Sequence, residues 1–214
     1  MASLSPSGRL WRGPNTPACY LPTETDLDLY RDLARGLNAP PNAHICRYLG
    51  PVGEHLVFLG ESGTSDWRRL QVMAHSRWPD LPEPGRIASD GTPLETLPER
   101  IVYEMLSPLL APGMALDLHQ PIEPGNGEHR SDMTLRLGSA RLFIEVVGCC
   151  GSDRVVRNDN ERRWLARLDR RLDFYRALDL SPVCIHLDLM AQPGELRTYC
   201  RTLVSRLARD GGRR

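Results

Sequence analysis

The chain has no lysine. All 27 basic residues are arginine, and 27 acids bring the formal net charge to zero. Any chemistry that needs a lysine, as a base or as a Schiff-base amine, is therefore excluded for this chain. The balanced charge gives no global electrostatic argument for a nucleic-acid partner. No apolar run approaches the ~20 residues of a membrane span, and the N-terminus lacks a signal-peptide core. A cytoplasmic protein without a membrane partner is the expectation. The six cysteines, Cys19, Cys46, Cys149, Cys150, Cys184 and Cys200, form no CxxC pair and keep no regular spacing, which argues against a disulfide framework. Cys19, His44, Cys46 and His55 are too irregularly spaced for a zinc set.

What is present is an ordinary globular complement, with 41% hydrophobic residues and a mean hydropathy of −0.37. The 214 residues suit one domain, or one domain with an N-terminal extension. Residues 1–22 are rich in Ser, Pro and Gly, the composition of a poorly ordered arm. Leu27, Leu29, Tyr30, Leu33 and Leu37 predict a helix over 25–38, broken by Ala39-Pro40-Pro41-Asn42. "HICRYLGPVGEHLVFLG" reads as two strands around Gly50-Pro51-Val52-Gly53. A short helix over 65–78 is expected next, closed by "WPDLPEPG", which marks a boundary near residue 85. Residues 1–85 then form an extension or accessory module without recognisable chemistry, and residues 86–214 form the core.

Past that boundary the pattern tightens. "TLPERIVYEMLSPLL" is an amphipathic helix, and strand-like runs follow at 115–119, 132–137 and 142–147. A long helix is predicted over 158–179, a strand over 182–187 and a last helix over 195–209. The order α-β-β-β-α-β-α predicts an α/β fold with helices covering a mixed sheet. Arg154 to Arg176 holds eight Arg against four acids, a surplus that suits phosphates or a solvated helix face. Asn158-x-x-Glu161 reads as a capping box, and Trp164 and Tyr175 at helical spacing read as core.

"RSDMTLRLGSARLFIEVVG", residues 130–148, reads as a hairpin turning at Leu137-Gly138-Ser139-Ala140. Its second strand is apolar except for Glu145, and a lone buried carboxylate is costly unless its charge is compensated. Side chains alternate along strands, so the hairpin can set Asp132 and Glu145 side by side on one face. Two adjacent carboxylates repel unless a cation or proton lies between them. A hard divalent ion such as Mg²⁺ or Mn²⁺ is the natural compensation.

Thr96-x-x-Glu99 opening a helix, then Ser131-Asp132, then Glu145-x-Val147 resembles the PD-(D/E)XK nuclease superfamily. "DGTPLETLPERIVYEML", "RSDMTL" and "LFIEVVG" look most like its very-short-patch-repair and TnsA-type endonucleases, over about residues 89–190. The resemblance implies a restriction-endonuclease-like core that hydrolyses DNA with Mg²⁺ or Mn²⁺. Asp132, Glu145 and Glu99 would be the metal-site carboxylates, although Thr96 to Glu99 is equally a capping box. The family's lysine, two residues after the Glu, is Val147 here. Some members take the basic residue from the following helix, where Arg167 or Arg171 lies nearest the buried side. Arg stabilises negative charge but cannot act as a general base.

Other readings compete. A nuclease fold without catalysis, serving as a nucleic-acid-binding or assembly module, fits the missing lysine, and a homodimer or partner protein stays open. Glu145 would then pair with Arg136 or Arg141 across the hairpin, and Asp132 would be a turn residue. A cysteine nucleophile at Cys149 or Cys150 would need His119, His129 or His186 beside it. His186 otherwise reads as a core or edge residue.

Overall fold

The computed structural model describes residues 9–10, 19–62, 64–122 and 129–211, divided into two compact units, Met1–Gly85 and Arg86–Arg214. In the first unit β1 (Arg9–Leu10) pairs antiparallel with β2 (Cys19–Tyr20). The rest of the Ser/Pro/Gly-rich arm lies outside the described residues, apart from Leu21 and Pro22. Helix α1 (Glu24–Leu37) starts at Thr23, whose hydroxyl accepts from Asp26 N at 3.2 Å while Asp26 accepts from Thr23 N at 2.7 Å. It stops at Asn38, in the left-handed region at φ 52°, a conformation Asn adopts readily.

The hairpin expected over residues 44–60 is not formed. The segment folds instead as α2 (Ala43–Cys46), a 3₁₀ turn (Gly50–Gly53) and α3 (Glu54–Glu61), followed by α4 (Thr64–Arg77). A short apolar run has no period that separates a strand from a buried helix turn. The glycines settle it. A Cβ on Gly53 would lie 2.1 Å from the Cys46 carbonyl oxygen, and one on Gly60 would lie 2.0 Å from Ala43 Cβ. Both serve close packing rather than a hairpin turn. Leu56 and Leu59, three apart, join Leu27, Tyr30, Leu33, Leu70 and Ala74 in this unit's core.

The second unit opens with α5 (Leu97–Leu106), capped by Thr96, and passes into a 3₁₀ turn (Ser107–Leu109), shorter than the predicted helix because Pro108 has no N–H to give. Strands β3 (Met114–Leu118), β4 (Met133–Leu137) and β5 (Ala140–Val147) form an antiparallel meander. Helix α6 (Asp159–Ala177) crosses over to β6 (Val183–His186), which pairs parallel to β5. The short α7 (Leu187–Met190), absent from the sequence reading, and α8 (Pro193–Gly211) complete the unit. This is a mixed α/β fold, a four-stranded mixed sheet in the order β3-β4-β5-β6 flanked by helices.

The β4–β5 loop is two residues long, Leu137 pairing with Ala140, and Gly138 takes φ 57° in it, as the primed turns that match strand twist require. That register fixes the faces. Phe143 and Val147 pack under Tyr175 and Leu168 of α6. On the other face α8 comes close to Leu137 at Gly211. Among the described residues no helix is long and apolar enough to cross a membrane.

Candidate active site

Continuing the β4–β5 register one pair beyond Met133–Ile144 sets Asp132 opposite Glu145, on the face covered by α6. Glu145 is fully buried, at 0% exposure. Its Oε1 accepts a 2.7 Å hydrogen bond from the Tyr175 hydroxyl, itself buried under α6. Asp132 Oδ2 accepts from Val146 N at 2.7 Å, which locks the carboxylate against β5.

Arg171 joins the two. Its Nη1 donates to Asp132 Oδ1 at 2.9 Å and to the Arg130 carbonyl oxygen at 3.1 Å, and its Nε lies 3.0 Å from Glu145 Oε2. That last contact is an ion pair without hydrogen-bond alignment, so Oε2 stays buried with its accepting capacity unspent. Nη2 makes no hydrogen bond among the described residues, and the Arg171 side chain keeps 28% of its surface exposed. Glu145 therefore pairs with neither Arg136 nor Arg141. Arg136 instead donates to Asp117 on β3 at 2.9 Å, and Arg141 is exposed. Arg167 does not reach the carboxylates; its guanidinium lies over the Trp164 ring at 4.8 Å.

Comparison with family profiles, with curated proteins and with solved structures returns no match for this chain. The site must speak through its own chemistry.

Burial and the Asp132 charge push the Glu145 carboxyl up from 4.5 to about 8, against the pull of Arg171 and the Tyr175 hydrogen bond. Burial works against the charge of Arg171, but Asp132 and Glu145 more than offset it and raise its pKa. Glu99, on the first turn of α5, is also raised, mainly by burial, with Asp132 adding to it and the Thr96 hydrogen bond opposing it. Its carboxylate accepts from the Thr96 hydroxyl at 2.8 Å and from Glu95 N at 3.1 Å, and its backbone N–H donates to Thr96 Oγ1 at 3.2 Å. Thr96 thus caps the helix, while the Glu99 carboxylate takes the Glu95 N–H rather than the Thr96 N–H of a full capping box. His119, at φ 51° just after β3, donates its backbone N–H to the Asp132 carbonyl at 3.2 Å and sets Nε2 3.5 Å from Glu99 Oε2.

A hard divalent ion takes one or two protein carboxylates and fills its remaining positions with water and phosphate oxygens. Asp132 and Glu145 offer two carboxyl groups of that kind from neighbouring strands, but Arg171 already lies between them and only Oε2 is left without a hydrogen bond among the described residues. Among the described residues no three of His, Cys, Asp and Glu are grouped to hold one, and Glu99 is engaged in its cap. The thiols are poor nucleophile candidates. Burial pushes Cys150 up to about 12 and raises Cys149, and neither is hydrogen-bonded to a histidine among the described residues. His186 is lowered by burial, and Nδ1 is buried without a hydrogen-bond partner among the described residues.

Two parts of this site escape sequence reasoning. Tyr175 lies four residues after Arg171 and thus one turn along the same helix, a spacing that signals proximity once Arg171 is placed. His119 carries no local signal, because β3 and a strained backbone bring it there. Trp164, expected in the core, is 52% exposed. The buried stripe of α6 is Glu161, Leu165, Leu168, Leu172 and Tyr175, and Trp164 falls on its flank.

Proposed function

We propose that residues 86–214 form a restriction-endonuclease-like core of the PD-(D/E)XK type that hydrolyses DNA phosphodiester bonds with Mg²⁺ or Mn²⁺. The observation that supports this reading is the Asp132–Arg171–Glu145 group, two carboxylates from neighbouring strands with an arginine head group between them. Asp132 and Glu145 would hold the ion, which when bound supplies Lewis-acid polarisation and lowers the pKa of water. The Tyr175 hydroxyl and Val146 N–H fix the carboxylate orientations. Arg171 answers for the absent lysine as a cation. Its free Nη2 takes a phosphate oxygen and stabilises the charge that builds on phosphorus, without accepting a proton.

Cleavage of supercoiled and branched DNA with Mg²⁺ or Mn²⁺, wild type beside Glu145→Ala, tests it. Metal-dependent nicking by the wild type alone supports the nuclease; cleavage that survives the substitution overturns it. A second reading has its own observation. Arg171 already bridges Asp132 and Glu145 without an ion, and with the Glu145 carboxyl raised to about 8 one arginine and one proton balance the pair near neutral pH, as in a nuclease fold retained for binding or assembly. DNA binding without cleavage by either protein decides for that reading.

A further inference from the structure

Trp164 stands out among the exposed apolar residues of the second unit because of what surrounds it. The Arg167 guanidinium lies 4.8 Å from its ring centroid, and more than half of its surface faces solvent. Residues 164, 167 and 171 follow the i, i+3, i+7 spacing and so share one flank of α6. The row runs from the indole to the head group that clasps Asp132 and Glu145. Charge on the helix is divided the same way. Arg162 and Arg176, on the opposite flank, are neutralised by Asp159 and Asp173 at 2.5 Å and 2.8 Å. Arg163 and Arg167 have no carboxylate partner among the described residues, and neither has Arg130, whose carbonyl binds Arg171.

Resting on the nuclease reading, we infer that this flank of α6 docks nucleic acid, with an unpaired base stacked on Trp164 and the neighbouring phosphates on Arg163, Arg167 and Arg171. The substrate class is then DNA with a single-stranded stretch beside the cleaved bond. An indole can stack only on a base withdrawn from a duplex, whereas a base-tolerant aromatic platform set in cationic side chains is how single strands are held. Arg167 over the ring adds a cation that serves both the π face and a phosphate. Seven residues of helix rise separate Trp164 from Arg171, about 10 Å, at most roughly three nucleotide steps at the ~3.4 Å per-strand rise of a duplex, and fewer along an unstacked strand. The unpaired base therefore sits a few nucleotides from the carboxylates.

The test is fluorescence anisotropy with the full chain in EDTA, using labelled single-stranded DNA and a duplex of the same sequence. Trp164→Ala is expected to weaken single-strand binding about tenfold or more and to leave duplex affinity unchanged, with Trp164→Phe recovering most of the loss. Arg167→Ala should weaken both ligands and flatten the salt dependence. Because Trp164 is exposed, an unchanged melting temperature verifies that the variant is folded. Equal single-strand affinity of wild type and Trp164→Ala overturns the inference. So does a wild type that binds neither DNA but captures an acidic polypeptide. Glu145→Gln in the cleavage assay reads the nuclease proposal separately. If wild type and Glu145→Gln both fail to cut while Trp164→Ala loses single-strand binding, the docking strip stands and the nuclease falls.

Discussion

At the scale of single residues, Glu145 ties stability to pH. Its folded carboxyl titrates at about 8, raised first by burial and then by Asp132, against 4.5 in the open chain. Between those values the folded state holds a proton that the unfolded state has released, so stability falls as pH rises from about 4.5 to about 8. The melting temperature of the wild type is expected to drop across that window relative to Glu145→Gln, a difference that thermal melts at pH 5 and pH 8 measure directly. Removing the Tyr175 hydroxyl with Tyr175→Phe leaves a buried carboxylate oxygen without its donor. The expected cost is about 1–3 kcal/mol, read as a lower urea midpoint at unchanged slope. Arg171→Ala strands two carboxylates and should cost about 3–5 kcal/mol at pH 8, less at pH 5 where Glu145 is protonated. Arg171→Lys should not restore it, because one ammonium cannot make the Asp132, Glu145 and Arg130 contacts together.

At the scale of elements, local sequence was readable where it caps or turns the chain. Thr96 and Asn158 each begin a helix through a side-chain oxygen, and Gly138 makes the hairpin loop that sets Asp132 opposite Glu145, whereas the Thr23 cap went unread and α1 starts one residue before the expected 25. It was misleading where apolar residues cluster without a period, as over Leu56 to Leu59, and where a helix face is shared between core and solvent, as at Trp164. Gly60 shows what decides such cases. An added Cβ would meet Ala43 Cβ at 2.0 Å, so Gly60→Ala should force α2 from α3 and cost about 1–3 kcal/mol. Hydrogen exchange should then show the lost protection in residues 43–61, with the second unit unaffected.

At the scale of the whole molecule, every group of the candidate site belongs to Arg86–Arg214, and each unit has an apolar core of its own. Residues 86–214 expressed alone are expected to fold and, under the proposed metal-dependent function, to respond to divalent ions as the full chain does. Mg²⁺ or Mn²⁺ at a hundredfold excess over its dissociation constant should stabilise the fragment by about 2.7 kcal/mol. Differential scanning calorimetry with EDTA as the reference checks this, and Glu145→Gln should abolish the gain.

The sequence by itself determined the strands and long helices of the second unit, though not the short α7, together with the hairpin and the pairing of Asp132 with Glu145, because strand alternation and a two-residue turn are local and leave one register. It also determined that any cation at this site from the chain's own long basic side chains had to be an arginine. Only the tertiary structure decided that Arg171 rather than Arg167 is that cation, that Tyr175 and His119 stand beside the carboxylates, and that Trp164 faces solvent. The Arg171, Tyr175 and Trp164 outcomes depend on how far α6 is rotated against the sheet, and that of His119 on the left-handed backbone just after β3. A difference of a few tens of degrees exchanges neighbouring side chains between core and surface, and helical periodicity alone does not contain that angle.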